Sequence, residues 1–106
     1  QRISIMGKAD VIENIRRFSR ELSKQISFKK IILFGSFAKG TADANSDIDI
    51  AIIVDSFPGD FLKVTPILWK IAADIDSRIE PIILEEGKDD SGFLESISGY
   101  GETISL

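Results

Sequence analysis

The 106-residue sequence contains no cysteine and no histidine. Disulfide bonds, thiolate metal sites, cysteine nucleophiles and Ser-His-Asp arrangements are therefore excluded. Aspartate and glutamate remain as the strong metal ligands, and oxygen ligands favour hard cations such as Mg²⁺ or Mn²⁺ over zinc. Any metal chemistry of this chain is expected to use carboxylates.

Long apolar runs and an excess of basic residues are also missing. No apolar run is long enough to cross a bilayer, and QRISIMGKADV lacks the charged and apolar regions of a signal peptide, so we expect a cytoplasmic protein with no membrane contact. The formal net charge is −4 and no block of Lys or Arg stands out, which disfavours extended nucleic-acid binding. An anionic ligand would need the help of a cation.

Length and composition are typical of one compact domain, because 43% of the residues are hydrophobic and 28% are charged. We expect a single domain over residues 1–106, with residues 1–8 outside its ordered part. A core of this modest size leaves outer elements that a partner or a second copy of the chain can cover, so a homo-oligomer is one expected state.

Hydrophobic periodicity predicts a small mixed β-sheet with helices, an α/β fold of the α+β type. The proline at position 81 indicates an edge strand or a strand start. The predicted elements, in chain order, are a helix capped by Asp10, a strand at 31–34, a helical turn in FAKG, a strand at 48–54, a helix from Thr65-Pro66 to about Asp76, a strand at 79–84, a short helix at 93–97, a turn at Tyr100 and a last short strand.

Two aspartates interrupt the second apolar strand. Asp47 and Asp49 are two residues apart, so in a strand their side chains leave the same face with backbones about 6 to 7 Å apart. Both carboxylates can reach one or two shared cations. Without a cation or solvent, the two charges would repel each other and lose hydration.

A glycine-serine pair ends the first strand. Gly35 allows backbone N–H groups to approach a phosphate closely, and Ser36 adds a hydroxyl to the same cradle. The loop at 41–46 can return the chain antiparallel, which would bring this cradle beside the two aspartates.

A third acidic residue is predicted at the same place by topology. A helical crossover favours a parallel neighbour for the second strand, and Glu80 lies near the start of the third strand as Asp49 does near the start of the second. The face on which Glu80 lies depends on the strand register. An exposed acid on an edge strand is the alternative interpretation of Glu80.

Two common motifs are excluded. The segment from Asp43 begins like an EF-hand loop, but Ile48 occupies the glycine position and Val54 the bidentate glutamate position. GSFAKGT resembles a phosphate-binding P-loop, but Lys39 precedes Gly40 instead of following it.

The segment FGSFAKGTADANSDIDIAIIV resembles the signature of the DNA polymerase beta-like nucleotidyltransferase superfamily, an apolar strand, Gly-Ser, about ten residues and then Asp-apolar-Asp. The short chain is most similar to minimal nucleotidyltransferase (MNT-type) proteins, many of which are antitoxins. The resemblance implies the nucleotidyltransferase fold and a bound nucleoside triphosphate, which we expect to be ATP. Its nucleotide-binding candidates are Gly35, Ser36, Lys39 and Ser46, although Lys39 could simply be solvated and Ser46 could only position the strand.

The resemblance also implies catalytic and metal-binding residues. Asp47 and Asp49 would bind two Mg²⁺ ions, or Mn²⁺ in their place, that activate the acceptor hydroxyl and steady the leaving pyrophosphate. The family's third carboxylate, usually Asp, corresponds here to Glu80, which is followed by Pro81. Catalytic activity is therefore expected to depend on Asp47, Asp49 and Glu80.

The expected function is transfer of a nucleoside monophosphate to a hydroxyl. MNT-type proteins pair with a small helical HEPN-type ribonuclease toxin, so the resemblance favours a partner protein as acceptor and an antitoxin role in a toxin–antitoxin system. The core leaves no room in this sequence for a large acceptor-binding domain. Two alternatives stay open, a catalytically weak binding module, which the Glu80-Pro81 departure supports, and an aminoglycoside-type nucleotidyltransferase acting on a small molecule, which the missing second domain disfavours.

Overall fold

The computed structural model describes residues 7–57, 59 and 61–105, apart from the side chain of Phe61. Within these ranges the predicted α+β class is confirmed, because helices alternate with the strands of one mixed sheet. The elements are α1 (Lys8–Ser23), β1 (Lys30–Phe34), α2 (Ser36–Lys39), β2 (Ile48–Val54), α3 (Phe61–Ile75), β3 (Ile79–Glu85), α4 (Phe93–Tyr100) and β4 (Glu102–Thr103).

The four strands form one sheet in the order β3-β2-β1-β4. β1 pairs antiparallel with both β2 and β4, whereas β2 pairs parallel with β3 through the α3 crossover. β2 therefore lies inside the sheet, between β3 and β1. β3 is an edge strand, as Pro81 indicated, because a proline has no backbone N–H to donate to a neighbouring strand.

One face of the sheet is covered by α1 and α3. The apolar stripe of α1, Val11, Ile15, Phe18 and Leu22, is fully buried there, because its residues recur at the three- and four-residue spacing of one helical face. We call this the closed face. Its strand residues alternate along the sequence, as a pleated strand requires, and they are Ile31, Leu33, Ile48, Ile50, Ile52, Val54, Ile79 and Ile83.

The opposite face is only partly covered, by α4. Ile97 of this helix is buried against Ile32, Ala51 and Ile53, which are the residues of β1 and β2 that point away from the closed face. The Phe34 and Phe93 rings meet edge to face with centroids 5.5 Å apart. We call this the open face, because the rest of it is left to half-buried and exposed side chains.

The start of α1 differs from the prediction. Gly7 is the N-cap residue, and Asp10 lies in the first turn, where its Oδ2 atom accepts a hydrogen bond of 3.3 Å from the Gly7 N–H. The N-cap assignment of Asp10 was wrong because a carboxylate at the third helical position can also bind the amide at the helix start. Lys8 belongs to α1, so the ordered domain begins before residue 9, and the prediction for residues 1–6 lies outside the described residues.

The start of α3 was also predicted incorrectly. The helix begins at Phe61, so Pro66 lies inside it and is not its first residue. A proline there removes the N–H that would bond to the Leu62 carbonyl. Leu62 is 84% exposed and Pro66 is exposed as well. Because water can reach that carbonyl, the missing bond is tolerated and Thr65-Pro66 does not end the helix.

At the end of the chain, α4 is longer than the predicted segment 93–97. Tyr100 is its last residue and not the centre of a turn, and Gly101 follows as the C-cap. A Cβ atom on Gly101 would lie 2.7 Å from Ile32 Cγ2, so only a glycine lets the chain pass this close to β1 before it enters β4. The predicted last strand is confirmed. No helix in the described ranges is both long and apolar enough to cross a membrane.

Candidate active site

The site begins where β1 ends, at Gly35. This residue has φ +71° and ψ −153°, a backbone conformation that is accessible to glycine and strained for other residues. A Cβ atom at Gly35 would overlap Asp49 Oδ2. Gly35 therefore gives Asp49 the space it occupies, and the predicted juxtaposition of the glycine-serine pair with the aspartates is confirmed as a structural contact.

The helical turn predicted in FAKG is α2, with Gly35 as its N-cap and Gly40 as its C-cap. Ser36 is the first residue of α2 and is half-buried. Among the described residues its hydroxyl has no hydrogen-bond partner, so this group is available to a ligand beside Gly35. Lys39 ends α2 and its side chain is exposed.

The three carboxylates predicted to act together lie at one end of the open face. Asp49 is in register with Phe34 of β1 on one side and with Glu80 of β3 on the other. Residues directly opposite in neighbouring strands share a face, so Glu80 lies beside Asp49. The register, which the sequence left undetermined, thus places Glu80 in the predicted cluster.

The charges of this cluster are not neutralised within the described residues, where no ion pair joins Asp47, Asp49 or Glu80 to a basic side chain. Burial raises the pKa of Asp49, and the charge of Asp47 raises it further. The pKa of Glu80 is also raised, first because its carboxyl lies within hydrogen-bonding reach of Asp47, then by burial and by the charges of Asp47 and Asp49. Like charges crowded in this way favour a bound cation or proton.

The cluster fits a hard divalent cation in its chemistry. All its donors are carboxylate oxygens, which are the ligands that Mg²⁺ and Mn²⁺ prefer, and its unneutralised charge attracts cations. In the described part of the chain, no three His, Cys, Asp or Glu side chains are already arranged around a single metal position. Metal binding by Asp47, Asp49 and Glu80 stays a prediction.

Ser46, predicted as a nucleotide-binding candidate, closes the loop between α2 and β2. Its Oγ atom accepts a hydrogen bond of 2.9 Å from the Asp43 N–H, and its own N–H donates to the Asp43 carbonyl at 3.1 Å. These bonds turn the chain into β2 just before Asp47. A nucleotide contact of Ser46 stays a prediction, whereas its role in shaping the loop is visible.

Sequence reasoning missed the residues that hold this loop in place. Arg78 donates to the Ala44 carbonyl at 3.3 Å and to Asp76 through Nε and Nη2 at 3.2 and 3.0 Å, and its guanidinium lies 5.9 Å from the centre of the Phe37 ring. Burial alone would raise the pKa of Asp76, but hydrogen bonds from Arg78 and Asn14 outweigh it and the pKa is lowered. The signal available in the sequence was Asp76, followed two residues later by Arg78 immediately before β3.

Sequence reasoning also missed Tyr100. The Gly35 N–H donates a hydrogen bond of 3.1 Å to Tyr100 Oη, and Lys39 Nζ lies 4.9 Å from the centre of the Tyr100 ring. No local pattern connects residues 65 positions apart, so only the packing of α4 on β1 reveals this contact.

The fold and this constellation agree with comparisons to known proteins. The family model described as "Nucleotidyltransferase domain" matches residues 12–101. A Methanocaldococcus jannaschii protein named "Putative protein adenylyltransferase MJ0141" is 32% identical over 99 residues, which cover 90% of this chain and 99% of that protein. A second protein of this organism, "Putative protein adenylyltransferase MJ1215", is 36% identical over 55 residues, 52% of this chain and 63% of its own length.

Two solved structures share the fold. A crystal structure of "a putative nucleotidyltransferase from Sulfolobus solfataricus" superposes with a TM-score of 0.63 at 18% identity and covers 91% of this chain and 80% of its own. A crystal structure of a toxin–antitoxin with AMP-PNP superposes with a TM-score of 0.64 at 24% identity and covers 89% of this chain and 72% of its own. The predicted nucleotidyltransferase fold is confirmed.

The chain belongs to the nucleotidyltransferase domain family. The superfamily inferred from the Gly-Ser and Asp-apolar-Asp pattern is confirmed, and so is the prediction that the protein is a nucleotidyltransferase.

Proposed function

We propose that this protein transfers AMP from ATP to a hydroxyl group on a partner protein, in a reaction that depends on Mg²⁺. The observation that carries the proposal is the contact between Gly35 and Asp49, which joins a predicted phosphate cradle to a cluster of carboxylates. The names of the M. jannaschii relatives support adenylyl transfer to protein, since one of them matches nearly its whole length.

In this proposal the chain binds ATP by its phosphates. The Ser36 hydroxyl and the backbone at Gly35 contact the triphosphate, and Lys39 and Ser46 are further candidates for this contact. Asp47, Asp49 and Glu80 would hold Mg²⁺. Its positive charge would offset the negative charge of the phosphates and of the leaving pyrophosphate. The open face leaves this end of the sheet accessible to an acceptor.

The transfer step is a displacement at the α-phosphorus. The acceptor hydroxyl oxygen forms a bond to the α-phosphorus, the bond from that phosphorus to the oxygen bridging to the β-phosphate breaks, and pyrophosphate leaves with that oxygen. The hydroxyl proton passes to a carboxylate of the cluster. Glu80 suits this role because it is exposed and lies directly beside Asp49, where an acceptor can reach it.

The partner is proposed to be a small helical HEPN-type toxin, which this chain would neutralise as the antitoxin of a pair. The superposition on a toxin–antitoxin structure with AMP-PNP is consistent with a nucleotide and a protein partner. The HEPN identity comes from the likeness to MNT-type proteins. We further propose that the pair acts in the cytoplasm.

The test is incubation of the purified protein with ATP, CTP, GTP or UTP and Mg²⁺, with and without a candidate HEPN-type protein, followed by mass spectrometry of both proteins. The expected result is an AMP adduct on the partner that disappears with EDTA and with the D47N/D49N double variant. Both substitutions keep the side-chain shape and remove the charge. No adduct with any nucleotide, together with unchanged partner binding by D47N/D49N, would refute the transfer reaction and favour neutralisation by contact alone.

A further inference from the structure

Tyr100 lies beside the Gly35 turn. The Gly35 N–H donates to the Tyr100 hydroxyl oxygen at 3.1 Å, and this oxygen therefore sits next to the residue that the proposed function assigns to the phosphates. The close approach of Gly101 to β1 fixes the end of α4, and with it the origin of the Tyr100 side chain. The contact is thus a product of the fold and not of a long, freely rotating side chain.

The hydroxyl of Tyr100 keeps one unused capacity. A phenol can accept hydrogen bonds and donate one, and here it accepts from Gly35. Among residues 7–57, 59 and 61–105, no acceptor receives the phenolic proton. Tyr100 is 38% exposed, so a ligand can reach this proton. An O–H donor therefore lies beside Gly35, and the residue that follows Gly35 in the chain, Ser36, carries a second hydroxyl.

A positive charge accompanies this donor. Lys39 Nζ lies 4.9 Å from the centre of the Tyr100 ring, a distance typical of a cation–π contact. In the part of the chain that the structure describes, Lys39 forms no ion pair with an acidic side chain. The Tyr100 and Ser36 hydroxyls and the Lys39 ammonium group are thus grouped at Gly35, which itself lies against Asp49 of β2.

We infer that Tyr100 is a residue of the triphosphate site, in which the Gly35 N–H holds the phenol in place and the phenolic O–H donates to a phosphate oxygen. This inference rests on the proposed function, which supplies the triphosphate. It changes the role of Gly35, because the Gly35 amide then orients Tyr100 while the Ser36 and Tyr100 hydroxyls contact the phosphate.

The variant Y100F tests the inference directly, because it removes the hydroxyl and keeps the ring beneath Lys39. We expect the dissociation constants of Mg²⁺-ATP and of Mg²⁺-tripolyphosphate, measured by isothermal titration calorimetry, to rise by the same factor of about 3 to 10. Equal losses are expected because the contact is to phosphate and not to the base or ribose. S98A, on the exposed side of the same helix, is the matched control and should bind as the wild type does.

A second measurement observes Tyr100 itself. The sequence contains a single tyrosine, so a protein carrying ring-¹³C-labelled tyrosine gives the NMR signals of this residue alone. Addition of Mg²⁺-tripolyphosphate to the wild type should shift these signals in a saturable way. This measurement needs no variant, so it decides the question even where Y100F folds poorly.

Each outcome bears on the inference. Unchanged or tighter binding by Y100F would overturn it, the tighter case meaning that the phenol merely occupies the place of a phosphate, and so would tyrosine signals that do not move. If S36A and D47N/D49N weaken nucleotide binding while Y100F does not, only this inference fails. If none of these variants weakens binding, the proposed function fails with it.

Discussion

The two faces of the sheet differ in the kind of side chain they carry. The closed face is sealed by α1 and α3 and consists of fully buried aliphatic side chains. The open face is covered by α4 over one part only, and beside that part lie the three carboxylates of the cluster. Burial and then the charge of Asp47 raise the pKa of Asp49, and the nearby Asp47 carboxyl raises that of Glu80. Both faces are made from the same strands, so alternate residues of β2 stabilise the fold and prepare the chemistry.

The largest effect on stability is expected on the closed face. I52A removes a fully buried side chain between the sheet and its helices, and should lower the free energy of unfolding by about 2 to 5 kcal/mol. L84A removes a half-buried side chain on the open face and should cost about 1 kcal/mol. Urea denaturation followed by circular dichroism compares the two, and equal losses would contradict the division into a closed and an open face.

G35A tests the open face through its activity, where the preceding variants test stability. The new methyl group would overlap the Asp49 carboxylate and strain a backbone with φ +71°, so we expect nucleotide transfer to fall by about 100-fold or more. G87A is the control, because in the described part of the chain a Cβ atom there meets no atom within 4 Å other than its chain neighbours. Transfer assays with labelled ATP distinguish the two variants, and a fully active G35A would show that Asp49 can move aside without loss.

D76N tests a carboxylate whose ionised form stabilises the folded state, in contrast to the crowded carboxylates of the open face. Its hydrogen bonds to Arg78 and Asn14 outweigh the effect of burial and hold the pKa of Asp76 below its ordinary value of 3.8. The charged form is thus favoured in the folded state, and its stabilisation is present at pH 7 and disappears as the pH falls through the lowered pKa. We expect D76N to cost about 2 kcal/mol at pH 7 and progressively less below pH 4. A pH-independent loss would contradict this explanation.

E80Q should change the free energy of unfolding least among these variants, and it should raise that free energy slightly where the others lower it. The pKa of Glu80 is raised above its ordinary value of 4.5, so its charge opposes folding at pH 7 and this cost vanishes as the pH falls below that value. Glu80 is exposed, so solvent screens the repulsion and the gain on removing the charge should be less than about 1 kcal/mol. Thermal unfolding in EDTA at pH 7 and pH 3 checks the sign, which would be wrong if E80Q were destabilised at pH 7.

The sequence was sufficient for the closed face and for much of the cluster. β2 was predicted with its observed bounds because its apolar run follows Asp47, ends before Asp55 and is interrupted by a charge only at Asp49. The helical crossover correctly indicated a parallel β3. The start of α3 was missed because the local preference of Thr65-Pro66 was overridden by an exposed surface that tolerates the proline. Tyr100 and Arg78 were missed because their contacts join segments that are distant along the chain and leave no periodic signal.

The site also has an order of assembly. Gly35, Asp49, Glu80 and Tyr100 come from four segments spread over most of the chain, and the Gly35 contact needs α4, which precedes the last strand. A chain emerging from the ribosome can form the α1 helix and the first hairpin early, whereas the complete constellation waits until residue 100 has emerged. The four segments are consequently brought together only once α4 has formed, and a truncated translation product ending before α4 would carry the acidic strands without the phenol beside them.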